Sequence, residues 1–175
     1  MRSGIVELYI GNGKGKTSAA VGTAIRAAGH GYNVIIFQFL KGRESGEQTL
    51  LKNIENIEFI KCNNSKKFIM EMDNIEKEIL KKEVNYYVRQ IKKETIINNY
   101  DVIIADEILG CLENKLIGED KLLDIIDGKS ENIELIFTGR NATEKIIEKS
   151  DLITEMKKIK HPYDKGIIAR EGIEY

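Results

Sequence analysis

Eight consecutive residues, Gly11-Asn12-Gly13-Lys14-Gly15-Lys16-Thr17-Ser18, combine the groups that hold a polyphosphate. Glycines in a turn let successive backbone N–H groups converge on an anion. A helix starting at the end of that turn adds partial positive charge. Lys16 brings a full positive charge, and the Thr17 hydroxyl is a ligand type for Mg²⁺. These residues together select a nucleoside triphosphate bound by its phosphate tail. The spacing departs from the usual phosphate loop, which has four residues between its first glycine and the Gly-Lys-Thr/Ser. Counting back from Gly15, that first glycine would fall on Ile10. The loop is one residue shorter and carries a second lysine, Lys14, inside it.

Two further groups of residues bear on the same chemistry. Asp106 and Glu107 end an apolar run, and a carboxylate there holds Mg²⁺, directly or through water, opposite Thr17. Sequence leaves open which of the two is nearer the metal. Arg140 follows Thr138-Gly139 and either contacts phosphate bidentately or pairs with Asp106 or Glu107. Lys41 and Arg43 follow a second apolar run and either touch ligand or are solvated. Arg26, nine residues after Thr17, reads as a structural or interface residue. No Ser/His/Asp arrangement is visible. Cys62 and Cys111 form no CxxC, and with only His30 and His161 beside them they make no thiol–imidazole metal cluster. They read as two reduced thiols.

The elements that must position these groups alternate in type. Residues 5–10, 33–39, 57–62, 101–106, 134–137 and 152–156 are strand-like, several of them nearly continuous apolar runs of the kind buried on both faces of a sheet. Residues 17–28 form an Ala- and Gly-rich helix ended by Gly29 and Gly31. Residues 73–98 form a long amphipathic helix with Ile75, Ile79, Val84, Val88 and Ile91 as its core stripe. A short helix is expected over 121–126, and another over 142–149 with Asn141 as its N-cap. This alternation predicts an α/β fold, a mostly parallel sheet with helices on both faces. Ligands of such sheets bind beyond the carboxyl ends of the strands, where the phosphate loop, Asp106-Glu107 and Thr138-Gly139-Arg140 should meet.

The bulk properties are permissive. With 175 residues, 42% hydrophobic and 31% charged, and no repeat, linker or low-complexity tract, the chain reads as one soluble domain over 1–175. No apolar run approaches the ~18 residues that cross a bilayer, and the opening residues show no secretory core, so a cytoplasmic protein is expected. A net charge of −1 gives no general reason to expect nucleic acid or an anionic membrane as partner.

The short-spaced loop, Arg26-Ala27-Ala28-Gly29-His30-Gly31 and Gln38-Phe39-Leu40-Lys41-Gly42 resemble the ATP:corrinoid adenosyltransferases of the CobA type. So do Asp106-Glu107-Ile108, Thr138-Gly139-Arg140, Lys160-His161-Pro162-Tyr163-Asp164-Lys165-Gly166 and the closing Gly172-Ile173-Glu174-Tyr175. The resemblance implies a RecA-like P-loop NTPase fold, usually a homodimer, that transfers the 5′-deoxyadenosyl group of ATP to the Co(I) centre of a reduced corrinoid. The product is adenosylcobalamin or its precursor, and inorganic triphosphate leaves. It also implies a nucleotide reversed relative to ordinary P-loop enzymes, with C5′ exposed, and a reduced flavoprotein as electron donor. The implied site comprises Lys14 and Lys16 as catalytic charges. Gly11 to Ser18, Arg140 and Phe68 are its binding residues, and Thr17, Asp106 and Glu107 surround Mg²⁺. Where relatives carry Phe-x-Trp before the long helix, this chain has Phe68-Ile69-Met70, and it contains no Trp. Phe68 can pack against the corrin, whereas Met70 is apolar and deformable without an indole face.

Two other classes compete. One is a P-loop NTPase or kinase that transfers phosphoryl, for which there is neither an evident arginine finger nor a water-orienting glutamine. The other is a non-catalytic RecA-like module. Neither needs the block from Lys160 to Tyr175, which discriminates them from an adenosyltransferase.

Overall fold

The computed structural model describes residues 3–42, 44–65 and 67–174. Its frame is a six-stranded, all-parallel sheet in the order β3-β2-β4-β5-β1-β6. The strands are β1 (Val6–Ile10), β2 (Val34–Gln38), β3 (Ile57–Lys61), β4 (Val102–Asp106), β5 (Glu134–Thr138) and β6 (Leu152–Glu155). The helices are α1 (Lys16–Gly29), α2 (Gly46–Leu51), α3 (Asn74–Ile97), α4 (Ile108–Glu113), α5 (Glu119–Gly128) and α6 (Glu144–Glu148). Two 3₁₀ turns, Ile69–Glu71 and Pro162–Lys165, complete the regular structure.

The side-chain period of two divides each central strand between two cores. Val34 and Ile36 of β2, Val102 and Ile104 of β4, and Ile136 of β5 face Ala20 and Ala24 of α1 and Leu51 of α2. Ile35, Phe37, Ile103, Ala105, Leu135 and Phe137 face the other way, against Leu80, Val84, Val88 and Ile91 of α3, Leu122 and Ile125 of α5, and Ile146 of α6. Apolar residues must be buried on both sides, so β2, β4 and β5 read as continuous hydrophobic runs. The edge strand β6 is exposed along its whole length. Among the described residues no helix is long and apolar enough to cross a membrane.

Several local expectations need correction. The long helix begins at the expected place, with a reciprocal cap: Asp73 Oδ1 accepts from the Glu76 N–H at 2.8 Å, and Glu76 Oε2 accepts from the Asp73 N–H at 2.9 Å. Its stripe is shifted, however: Ile75 and Ile79 are 73% and 53% exposed, and the buried face runs through Leu80, Val84, Val88, Ile91 and Thr95. Burial along the helix begins only at Leu80. Asn141 does not cap α6, which starts at Glu144 after Thr143; the Asn141 amide instead approaches Glu113 Oε1 at 3.5 Å. The short helices α2 and α4 have no counterpart in the sequence reading, because six residues are too few to show a 3.6-residue period.

Candidate active site

Four adjacent strands, β2, β4, β5 and β1, deliver their carboxyl ends side by side, and polar residues sit where the apolar runs stop. Gln38 ends β2 in register with Asp106 at the end of β4, and Thr138 ends β5 in register with Tyr9 of β1. The phosphate loop leaves β1 and enters α1 at Lys16. Its glycines are required by what lies beneath. The Gly13 N–H donates to the Met156 carbonyl at 2.6 Å, so a Cβ on either Gly11 or Gly13 would come within 2.5 Å of that oxygen. Gly11 also holds φ +110°, a conformation that disfavours side chains. The Lys158 N–H donates to Asn12 Oδ1 at 3.0 Å. The chain leaving β6 thus braces the loop from below through backbone groups, a support with no side-chain signature in the sequence.

Lys16 folds over the loop it follows. Its Nζ donates to the carbonyls of Gly11 and Gly13 at 2.7 and 2.9 Å. Burial lowers its pKa, and the charges of Glu107 and Asp106 oppose that shift. Lys14 points elsewhere: its ammonium donates to the Ile173 carbonyl at 3.0 Å and to Glu174 Oε1 at 3.1 Å. The last described residues therefore touch the phosphate loop directly. Between them lies a cleft of about 320 Å³ lined by Gly13, Lys14, Lys158, Lys160, Arg170 and Glu174, among others.

The two strand-end carboxylates have different surroundings. Asp106 is 3% exposed and accepts hydrogen bonds from the Thr17 hydroxyl at 3.0 and 3.2 Å, from Thr138 Oγ1 at 2.8 Å and from Gln38 Nε2 at 3.1 Å. Each Thr17 and Thr138 proton is thereby committed to Asp106, leaving hydroxyl lone pairs free to accept. Thr138 uses one of them for the Glu107 N–H at 2.8 Å. Thr17 sits at the start of α1, next in sequence to the loop, with its hydroxyl against Asp106. Glu107 adopts φ 61°, the left-handed turn that switches β4 into α4, and its carboxylate folds back beside Gly110. Burial and the nearby Asp106 charge raise its pKa, and Lys16 and Arg140 pull it back.

Arg140 belongs to the site by backbone and by field. Its carbonyl accepts from the Gly11 N–H at 2.8 Å, and its charge bears on both Lys16 and Glu107. Lys41 is paired with Glu47 at 2.6 Å, and Arg43 and Tyr175 lie outside the described residues. Phe68 follows a strand remote from β1 in the sheet order. It precedes the 3₁₀ turn that follows β3, and β3 is four strand spacings, about 19 Å, from β1. Phe68 is 58% exposed and Met70 94%. Gln38, Gln48 and Thr138 are the residues whose roles the sequence reading missed. Polar residues at the ends of apolar strands were the available signal for the first and last.

The whole chain carries one family signature. The profile described as ATP:corrinoid adenosyltransferase BtuR/CobO/CobP matches residues 2–175. The corrinoid adenosyltransferase of Escherichia coli K12 is 31% identical over 174 residues, covering 98% of this chain and 86% of that protein. Corrinoid adenosyltransferase CobA of Salmonella typhimurium LT2 matches to the same extent. That of Pseudomonas aeruginosa PAO1 is 31% identical over 176 residues, covering 98% and 84%. A parallel α/β sheet with a phosphate loop braced at its carboxyl edge, and a family match along its full length, place this chain in the ATP:corrinoid adenosyltransferase family.

Proposed function

We propose that this chain, working as one domain, binds ATP by its triphosphate in the cradle of residues 11–18 and presents C5′ to the Co(I) centre of a reduced corrinoid. Cobalt attacks C5′, the C5′–O bond breaks, and its electron pair leaves on inorganic triphosphate. Co(I) is itself a powerful nucleophile, so the protein supplies neither nucleophile nor general base. Its tasks are to align the two substrates and to stabilise charge on the departing triphosphate. Lys16 and Lys14 provide that charge, the loop N–H groups orient the phosphates, and Arg140 flanks the cradle at the end of β5.

The donor set suits Mg²⁺. Thr17 and Asp106 offer hard oxygen ligands, and Mg²⁺ is held by one or two such groups plus substrate phosphates rather than by an all-protein cage. When bound, the ion neutralises phosphate charge and fixes the conformation of the tail. Asp106 holds its place through Thr17 or through water, and Glu107 adds negative field at one remove. Phe68 and Met70 present an apolar surface for the corrin. By the resemblance, the protein works as a homodimer with a reduced flavoprotein as electron source, and the sequence composition supports a cytoplasmic location.

One observation carries this reading: the Thr17–Asp106 hydrogen bond joins the phosphate loop to the end of β4 in a chain whose family acts on ATP and corrinoid. The test is anaerobic mixing of the protein with ATP, Mg²⁺ and chemically reduced cob(I)alamin. The expected result is loss of the cob(I)alamin spectrum, formation of a light-sensitive alkylcobalamin, and triphosphate as co-product. An unchanged spectrum with release of orthophosphate or diphosphate would replace this reading with phosphoryl transfer.

A further inference from the structure

Asp106 is the terminus of a buried polar chain that leads away from the phosphate loop. Gln38 donates Nε2 to Asp106 Oδ2 at 3.1 Å, and Gln48 of α2 donates Nε2 to Gln38 Oε1 at 2.7 Å. Gln38 is 1% and Gln48 5% exposed. The direction of the chain is fixed by chemistry. An ionised carboxylate only accepts, so Gln38 must turn its NH₂ toward Asp106. Its Oε1 then faces the opposite way in a dry site and needs a donor, which among the described residues the amide NH₂ of Gln48 supplies at 2.7 Å. Reversing either amide would set oxygen against oxygen or leave a buried polar atom unpaired.

Gln48 is held in turn by its own surroundings. The next element after β2 is α2, whose Leu51 is buried against the α1 face. Lys61 Nζ donates to the Gly42 carbonyl at 3.1 Å, Lys41 pairs with Glu47, and the Gln48 N–H donates to the Ser45 carbonyl at 3.0 Å. The placement of α2 is thus transmitted through two amides to the carboxylate beside Thr17.

We propose that Gln48 is a positioning residue for the Asp106 carboxylate, acting through Gln38, and that it sets the divalent-cation affinity of the phosphate site. The proposal rests on the reading of Thr17 and Asp106 as the cation's protein partners. Outer partners that orient a liganding group commonly change metal affinity by tenfold or more when removed.

The test is titration of the ATP-bound protein with Mn²⁺, read from the electron paramagnetic resonance of free Mn²⁺ and with no corrinoid present. Gln38→Leu and Gln48→Leu should each weaken Mn²⁺ binding, by about tenfold for the first. The double variant should bind no more weakly than Gln38→Leu alone, because Gln48 acts only through Gln38. A second variant guards against misfolding. Gln48→Glu is nearest to Gln in shape, and, assayed at a pH above that at which its buried carboxyl ionises, its carboxylate demands the Gln38 NH₂ and so turns Gln38 Oε1 toward Asp106. It should lose more Mn²⁺ affinity than Gln48→Leu. A structural role alone would give the reverse order, with the better-shaped Glu the milder change, and that order would overturn the proposal. Full additivity in the double variant, or unchanged Mn²⁺ affinity in folded Gln48 variants, would also overturn it. Absence of Mn²⁺ binding by the ATP-bound wild-type protein would remove the reading of the cation site and the proposal with it.

Discussion

The carboxyl edge of the sheet has two unlike halves. Around β1, β4 and β5 the groups are buried, mutually hydrogen-bonded and fixed by register: Asp106 alone receives Thr17, Thr138 and Gln38. Beyond β3 the edge is loop and 3₁₀ turn, with Phe68, Met70 and Ile75 largely exposed. The contrast matches what the proposed function asks of each half. A triphosphate is small, highly charged and the same in every turnover, so donors fixed before it arrives stabilise it without reorganisation. A corrinoid is broad and largely apolar, and an open apolar surface accommodates it.

Breaking the buried half should have the largest effects. Lys16→Ala removes the main fixed charge of the cradle. Transfer from ATP to cob(I)alamin should fall by roughly 10²–10³-fold, the range seen when one preorganised group at a developing charge is lost. The melting temperature should change little, because among the described residues the Lys16 ammonium hydrogen-bonds to loop carbonyls alone. Normal turnover by a folded Lys16→Ala protein would remove the phosphate cradle from the mechanism. Asp106→Asn should reduce both activity and stability. With its oxygen facing Thr17 and Thr138, the new amide sets an NH₂ against that of Gln38, which cannot rotate without breaking its bond to Gln48. A loss of about 1–3 kcal/mol is expected from denaturant titration, the cost of unpaired buried polar groups. An Asn variant as stable as wild type would mean that the buried chain is less constrained than its distances indicate.

How legible each half was in the sequence follows the same division. The loop and both strand-end carboxylates announced themselves, because a polar residue at the end of an apolar run has few places to go but the sheet edge; Gln38 and Thr138 carry the same signal at the ends of β2 and β5. The parallel α/β architecture was equally plain, since β2, β4 and β5 are buried on both faces and carry no alternation. Gln48 was invisible. It lies in a six-residue helix without readable period, and its partner Gln38 is ten positions away. The brace under the loop was invisible for another reason: Met156 and Lys158 act through a carbonyl and an N–H, which every residue has. On the open half, Ile75 and Ile79 fitted the helical stripe, yet both are more than half exposed. Periodicity reports a face and not whether anything packs on it.

The open half should respond more selectively. Phe68→Ala should leave stability nearly unchanged, because the ring is more than half exposed. It should hurt reactions started from cob(II)alamin more than those started from chemically prepared cob(I)alamin if the ring assists reduction of the bound corrinoid. Comparing the two rates in one preparation reads this directly. Equal losses would reduce Phe68 to packing, and no loss in either would move the corrinoid surface elsewhere along the edge.

The smallest effect is expected where the two halves of the sequence meet, at Lys14 and Glu174. The Glu174 carboxylate accepts from the Arg170 guanidinium at 2.9 and 3.2 Å, from the Arg170 N–H at 2.8 Å and from Lys14 at 3.1 Å. Arg170 first and Lys14 after it pull its pKa down to about 2, so it is ionised throughout the neutral range. This places a resident anion on a lysine of the phosphate loop, in competition with any polyphosphate that Lys14 would otherwise neutralise. Glu174→Gln keeps the shape and removes the charge. Inorganic triphosphate should then bind about two- to fivefold more tightly by calorimetry, the scale of an exposed ion pair. The gain should shrink as salt is raised from low ionic strength. Weaker binding would reverse the sign of the contact: Glu174 would then be holding Lys14 and Arg170 in the geometry that receives the phosphates, and the C-terminal turn would belong to the fixed half of the site.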